Sequence, residues 1–125
     1  MRNQIKFTFQ IGYATRHRGF EGAIIAAASR LCGGCTSETK TGWWMSDGAS
    51  HADTFKGSLE QEHCFDLELT CEMAKAEDVY GAMCQHIARL ALAYKVDTNW
   101  VHVSEVAMTG RHFSIDAINA ERVAA

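Results

Sequence analysis

The sequence predicts an α+β fold, and three observations predict it. Four stretches alternate apolar and polar residues at period two, as strands do. Two longer stretches repeat apolar residues at helical spacing. The helical stretches fall after the first strand and after the third. That order, β-α-β-β-α-β, is the split βαβ or ferredoxin-like pattern. Right-handed crossovers would place both helices on one face of a four-stranded antiparallel sheet. The 125 residues fit one domain, with a core over 5–108 and a C-terminal extension over 109–125.

Residues 5–13 form the first strand. Ile5, Phe7, Phe9 and Ile11 share one face, and Lys6, Thr8 and Gln10 the other. A helix follows over 19–32, with Phe20, Ala23, Ile24, Ala27, Ala28 and Leu31 as its apolar stripe. Gly33-Gly34 ends it, because glycine takes the left-handed cap conformation without penalty. Residues 36–45, TSETKTGWWM, are rich in threonine and tryptophan and form the second strand. Ser46–Gly57 carries Asp47-Gly48 and is expected to be a long hairpin loop inside which the second strand can resume. In the third strand, 62–72, Phe65, Leu67, Leu69 and Cys71 alternate with Cys64, Asp66, Glu68, Thr70 and Glu72.

The second helix covers 76–95. Its stripe is Val79, Met83, Ile87, Leu90, Ala91 and Tyr94, and Glu77 and Asp78 sit in the first turn, where the helix dipole favours acids. Asp97-Thr98-Asn99 turns into the fourth strand, Trp100–Met108. Thr109-Gly110 then leads to Arg111–Ile115, expected as a short fifth strand or edge hairpin, and residues 116–125 are weakly helical.

The apolar strand faces would meet the helix stripes, leaving the other sheet face open. That face carries Lys6, Thr8, Gln10, Asp66, Glu68, Thr70, His102 and at least one of Trp43 and Trp44. Three tryptophans near one open sheet are poorly accommodated by water. Cover by a second subunit, as a homodimer or higher oligomer, is the leading expectation beside plain solvation.

The net charge of −3 and pI near 6.0 argue against a partner that is a nucleic-acid polymer, which needs a basic face. A small anion needs only a local basic pocket. The longest apolar run, Ala23–Ala28, is too short to cross a membrane. The N-terminus has no signal-peptide core, so a cytoplasmic location is expected. Five cysteines, an odd number without a secretion signal, are expected as free thiols.

Several constellations bear on function. Arg16-His17-Arg18 stands directly before the first helix, where guanidinium forks and free helix N–H groups can clamp phosphate or carboxylate; an ordinary solvated loop is the alternative. Trp43, Trp44 and Trp100 can stack a planar ring or simply pack. As neighbours on a strand, Trp43 and Trp44 point opposite ways. His102, with Asp66 or Glu68 across the sheet, is a candidate acid/base pair or an ordinary strand histidine. Cys32-Gly33-Gly34-Cys35 lies at a helix end, where the dipole opposes thiolate formation, so packing is expected rather than redox chemistry. Cys32 and Cys35 could form half a zinc site, but no second pair at ligand spacing completes it, His63-Cys64 included, and no cofactor is expected.

FTFQIGYAT leading into a helix, TGWW followed by a loop and LEQEHCFDLELTCE, and a helix ending in NWVHVSEV together resemble short proteins encoded by phages and prophages. The resemblance covers residues 5–106. Some small phage proteins are sponges that sequester immune signalling nucleotides, as in counter-defence against Thoeris or CBASS systems. The resemblance implies such a role and supplies no binding residues. The expected function is therefore non-catalytic binding of a small anionic, nucleotide-like ligand. Arg16, His17 and Arg18 would hold phosphate, and Trp43, Trp44, Trp100 and His102 would line the ring. The alternatives are an enzyme of the dimeric α/β-barrel or phosphodiesterase sort using His102, and an interaction module that blocks a host partner.

Overall fold

The alternation of the first strand becomes a division of the whole sheet into two faces. The structure is a computed structural model and describes residues 2–48, 50, 52–98 and 101–124. Its strands are β1 (Gln4–Tyr13), β2 (Thr36–Met45), β3 (Leu59–Glu72) and β4 (Val101–Met108). The helices are α1 (Arg18–Cys32), α2 (Ala76–Ala93) and α3 (Ile115–Ala124), with one 3-10 turn at Met73–Lys75 leading into α2. The strands form one antiparallel sheet in the order β2-β3-β1-β4. An α+β architecture on a four-stranded antiparallel sheet is thus what the chain adopts.

Phe7, Phe9, Ile11 and Tyr13 of β1 are buried, as are Phe65, Leu67 and Leu69 of β3. They pack in one core with Phe20, Ile24 and Ala28 of α1 and with Val79, Met83, Ile87, Leu90 and Ala91 of α2. Gly33 caps α1 at φ 84°, the left-handed region that favours glycine. The hydrophobic stripes therefore bury much as their spacing predicts, because burying apolar area dominates folding.

Four local expectations need correction. Arg111–Ile115 forms no fifth strand: residues 109–114 are irregular, and the Ser114 hydroxyl accepts the Ala117 N–H at 3.1 Å to start α3. The second strand does not resume among the described residues of the 46–57 loop. Side chains tie that loop instead, with Asp47 accepting the Lys56 N–H and Ser46 Oγ accepting the Ser58 N–H, both at 2.9 Å. β3 begins three residues early, at Leu59, because Leu59, Glu60 and Gln61 pair with Met45, Trp44 and Trp43. α2 ends at Ala93, and Tyr94 is not in its buried stripe but 39% exposed, lying edge-on to His17. Lys95, at φ 54°, turns the chain away. Asn99 and Trp100 lie outside the described residues.

Candidate functional site

The open face is built around Trp44. β2 register places Trp44 beside Glu60 and Gly42 beside Glu62, so Trp44 shares a face with Gly42, Glu62, Cys64 and Gly12. A Cβ built on Gly42 would stand 3.0 Å from the Trp44 ring and against Cys64 Sγ. A Cβ on Gly12, two strands over, would stand 3.2 Å from the ring's Cη2 atom and collide with the Glu62 carboxylate. The indole therefore lies across β3, in room cleared by the two glycines. It stays 38% exposed. Beside it opens a groove of about 570 Å³, lined chiefly by Gln10, Gly12, Trp44, Glu62, Cys64 and His102. That volume is in the range of small-molecule sites.

The electrostatics of this face are acidic. Glu38, Glu60, Glu62, Asp66, Glu68 and Glu72 occupy it with Lys6 and Lys40. Lys40 Nζ lies 2.8 Å from Asp66 Oδ2 and 3.8 Å from Glu38, and Lys6 lies 3.9 Å from Glu68. These are the cross-strand partners that relieve a row of carboxylates. Asp66 is 7% exposed, and its Oδ1 has no hydrogen-bond partner. Burial, and then the charge of Glu60, push the Glu62 carboxyl above its ordinary pKa. His102 is exposed and pairs with Gln10, which on its other side pairs with Asp66. β1 thus separates His102 from Asp66 by two strand spacings, about 10 Å, too far for direct proton transfer.

The cationic loop has a different arrangement. His17 is the N-cap of α1, its Nδ1 accepting the Phe20 N–H at 3.1 Å. That contact uses one of the N–H groups an anion would have met. Arg16 points its Nε at Glu21 Oε1, 3.3 Å away. Glu21 is only 4% exposed. It also accepts from the Tyr13 hydroxyl and sits 3.0 Å from His63 Nε2. Burial works against the Glu21 carboxylate, but donors from Tyr13, His63 and Arg16 outweigh it and hold its pKa below the usual value. Burial, then the hydrogen bond to Glu21 and its charge, push the Tyr13 phenol well up. Arg18, the first residue of α1, is exposed.

Of the sequence-predicted site residues, the structure brings Trp44 and His102 to one groove. Trp43 faces the opposite side of the sheet at its β2 edge, 59% exposed, so neither of the tandem tryptophans enters the core. Trp100 lies outside the described residues. Cys35 Sγ contacts Ser29 Oγ and the Ile25 carbonyl, and burial, then Cys71 and Cys35, push the Cys32 thiol up. Among the described residues, no three His, Cys, Asp or Glu side chains are grouped to hold a metal, and no helix is long and apolar enough to cross a membrane.

Sequence reasoning missed Glu21, His63 and the two glycines. Glu21 did carry a signal. It stands three residues before Ile24 and seven before Ala28, so an acid falls in phase with the buried stripe. Such an acid must find donors. Gly12 and Gly42 gave none, since their role depends on where the Trp44 ring lies, two strands over from Gly12 and across β3 from Gly42's own strand.

No protein-family profile and no curated protein matches this chain. Among solved structures, it is similar to a phage SAM lyase in the apo state, at 12% identity and a TM-score of 0.48, over 88% of this chain and 94% of that one. It is also similar to an amidohydrolase/peptidase candidate from Burkholderia cenocepacia (14% identity, TM-score 0.45) and an amidase of the hydantoinase/carbamoylase family from Burkholderia multivorans (13%, 0.41). Both matches cover 99% of this chain, which spans about a third (32%) of each of those enzymes. These likenesses are remote.

Proposed function

We propose that this chain is a non-catalytic binding module for a small, ring-bearing, nucleotide-like ligand, built on a ferredoxin-like βαββαβ fold. The observation that carries the reading is the Trp44 indole. It is laid across β3 over two glycines and left open to a groove that holds Gln10, Glu62 and His102. A planar ring stacks on such a surface, and its amino or hydroxyl groups meet Glu62 and Gln10. Phosphates would be repelled by the acidic face, so they belong at its rim. Arg18, unlike Arg16, makes no ion pair among the described residues. Sequestration of an immune signalling nucleotide in a phage-encoded sponge is the specific form of this reading.

The test is retention. The protein is incubated with a panel of cyclic and ADP-ribose nucleotides, separated from free ligand and then heated. Intact nucleotide in the supernatant supports the proposal, and no retained nucleotide overturns it. One observation favours a second reading, an enzyme: Glu62, a carboxyl with a raised pKa, shares its groove with His102. Release of chemically altered nucleotide would decide for that reading.

A further inference from the structure

The acids of β3 line two different hollows on the open face. Glu62 belongs to the Trp44 groove. Asp66 and Glu68, further along the strand, line a second hollow of about 310 Å³, chiefly with Thr8 of β1 and Thr36, Glu38 and Lys40 of β2. The strand register builds it. Asp66 pairs with Gln10 on one side and Glu38 on the other, and Glu68 pairs with Thr8 and Thr36.

Asp66 differs from the other two carboxylates of this hollow. Glu38 and Glu68 are exposed and take hydrogen bonds from water. Asp66 is only 7% exposed. Its Oδ2 has the Lys40 ammonium 2.8 Å away, while its Oδ1 is shielded from bulk water and has no hydrogen-bond partner among the described residues. Native folds seldom leave a buried acceptor in that state, because the lost hydration is not replaced.

The charges say what kind of donor would complete it. Glu38, Asp66 and Glu68 bring three negative charges to the hollow and Lys40 one positive. Lys6, 3.9 Å from Glu68, adds a second positive charge at the edge, so one negative charge is left over. A metal ion is a poor match. It needs several oxygens at about 2.0–2.6 Å, and among the described residues no three acidic, His or Cys side chains are grouped to hold one. An ammonium group bonds at the longer reach of an N–H donor and carries three of them. Asp66 Oδ1, the Glu68 carboxylate and a threonine hydroxyl offer three acceptors. Lys40 already shows an ammonium held at hydrogen-bond length on this carboxylate. Its side chain is half-exposed and has Glu38 3.8 Å away as a second partner, so it can shift and let another ammonium in.

We propose that this hollow is a binding site for the primary ammonium group of a small organic cation, with Asp66 Oδ1 as its central acceptor. The site borders the Trp44 groove through Gln10 but needs neither a ring nor a phosphate. It stands whether or not that groove binds a nucleotide.

The test titrates the full chain with butylammonium chloride and follows backbone amide resonances by NMR. Saturable shifts at Asp66, Glu68 and their neighbours are expected, with a midpoint of about 10 mM or lower. Tetramethylammonium has the same charge and no N–H donor, and should bind at least about tenfold more weakly. Asp66→Asn preserves the shape of the side chain and should weaken butylammonium about tenfold or more. Glu68→Gln, at an exposed position, should weaken it about threefold and keeps the test open if Asp66→Asn fails to fold by circular dichroism. Absence of saturable shifts up to about 50 mM overturns the proposal, and water is then the partner of Oδ1. Equal binding of tetramethylammonium also overturns it, because the acidic face is then only a diffuse attractor of cations. Butylammonium binding indifferent to the folded variants does so as well.

Discussion

Glu21 and Glu62 are two carboxylates in this small domain, one on each side of the sheet, and their surroundings oppose each other. Glu21 is sealed on the helix side with Tyr13, His63 and Arg16 turned toward it, so its charge is satisfied from within the chain. Glu62 lies on the open side beside Glu60 and the Trp44 ring, and burial raises its pKa. A network that already supplies the donors its carboxylate needs has a structural job. A carboxyl disfavoured in its charged form, at the edge of an open groove, is where a ligand's donors gain most. Residue type does not separate the two, since each region combines an acid, a histidine and an aromatic. The count of donors does.

The largest break in this comparison is Glu21→Ala. It strands the Tyr13 hydroxyl and His63 in a nearly dry site and leaves Arg16 half-exposed without its partner. We expect a loss of about 2–4 kcal/mol, less than for a fully buried ion pair because Arg16 reaches water. Urea unfolding measures it, and a loss under about 1 kcal/mol would remove the structural role. Ligand retention in the surviving folded fraction should not change.

Gly12→Ala strikes the other side. The new methyl collides with Glu62 and presses on Trp44, so the ring or the carboxylate must move. We expect about 1–3 kcal/mol of destabilisation from overpacking and loss of retained nucleotide. A protein that keeps its ligand with Ala at this position would show that the indole platform is not the binding surface.

These two substitutions also mark what was legible in the sequence. The helix and strand faces were legible because burial at period two or 3.6 is written locally. Phe7, Phe9 and Ile11 needed no structure to be placed, nor did the Gly33 cap. The cationic loop Arg16-His17-Arg18 was legible only as charge. Where each side chain points depends on Glu21 arriving from one turn into α1 and His63 from a strand far along the chain. The groove was half legible: His102 and a tryptophan on the open face follow from alternation. That the tryptophan is Trp44, and that Gly12 makes room for it, follows from the register of β2 on β3 and β3 on β1. A strand's own sequence does not contain its register.

The pH dependence of stability sharpens the comparison, because the two carboxyls act with opposite sign. Glu21 has a lowered pKa when folded. Its contribution is full above the unfolded value of 4.5 and is lost as pH falls through the lower folded value. Glu62 has a raised pKa when folded. The folded protein holds that proton longer than the unfolded chain, so stability declines as pH rises from 4.5 through the higher folded value. Glu62→Gln should therefore raise the melting temperature at neutral pH and not at pH 4. Glu21→Gln should flatten the acid limb. If both substitutions shift the curve in the same sense, the two sites are not electrostatic opposites.

The smallest expected effect separates two arginines that the sequence presents as one feature. Arg16 is 48% exposed at its side chain and turned to Glu21, whereas Arg18 stands exposed at the head of α1. Arg16→Ala removes one donor from a carboxylate that keeps two others. Solvent screens the pair, so the cost is about 0.5–1 kcal/mol, with nucleotide retention unchanged. Arg18→Ala should leave stability within about 0.5 kcal/mol of wild type and lower nucleotide retention, because the phosphate loses its cation. The pair must be measured together. Equal losses of retention would mean that Arg16 leaves Glu21 to bind phosphate, and the division between a structural side and a binding side would not hold at the start of α1. Retention lost only with Arg18 would place that division between two residues separated by a single histidine.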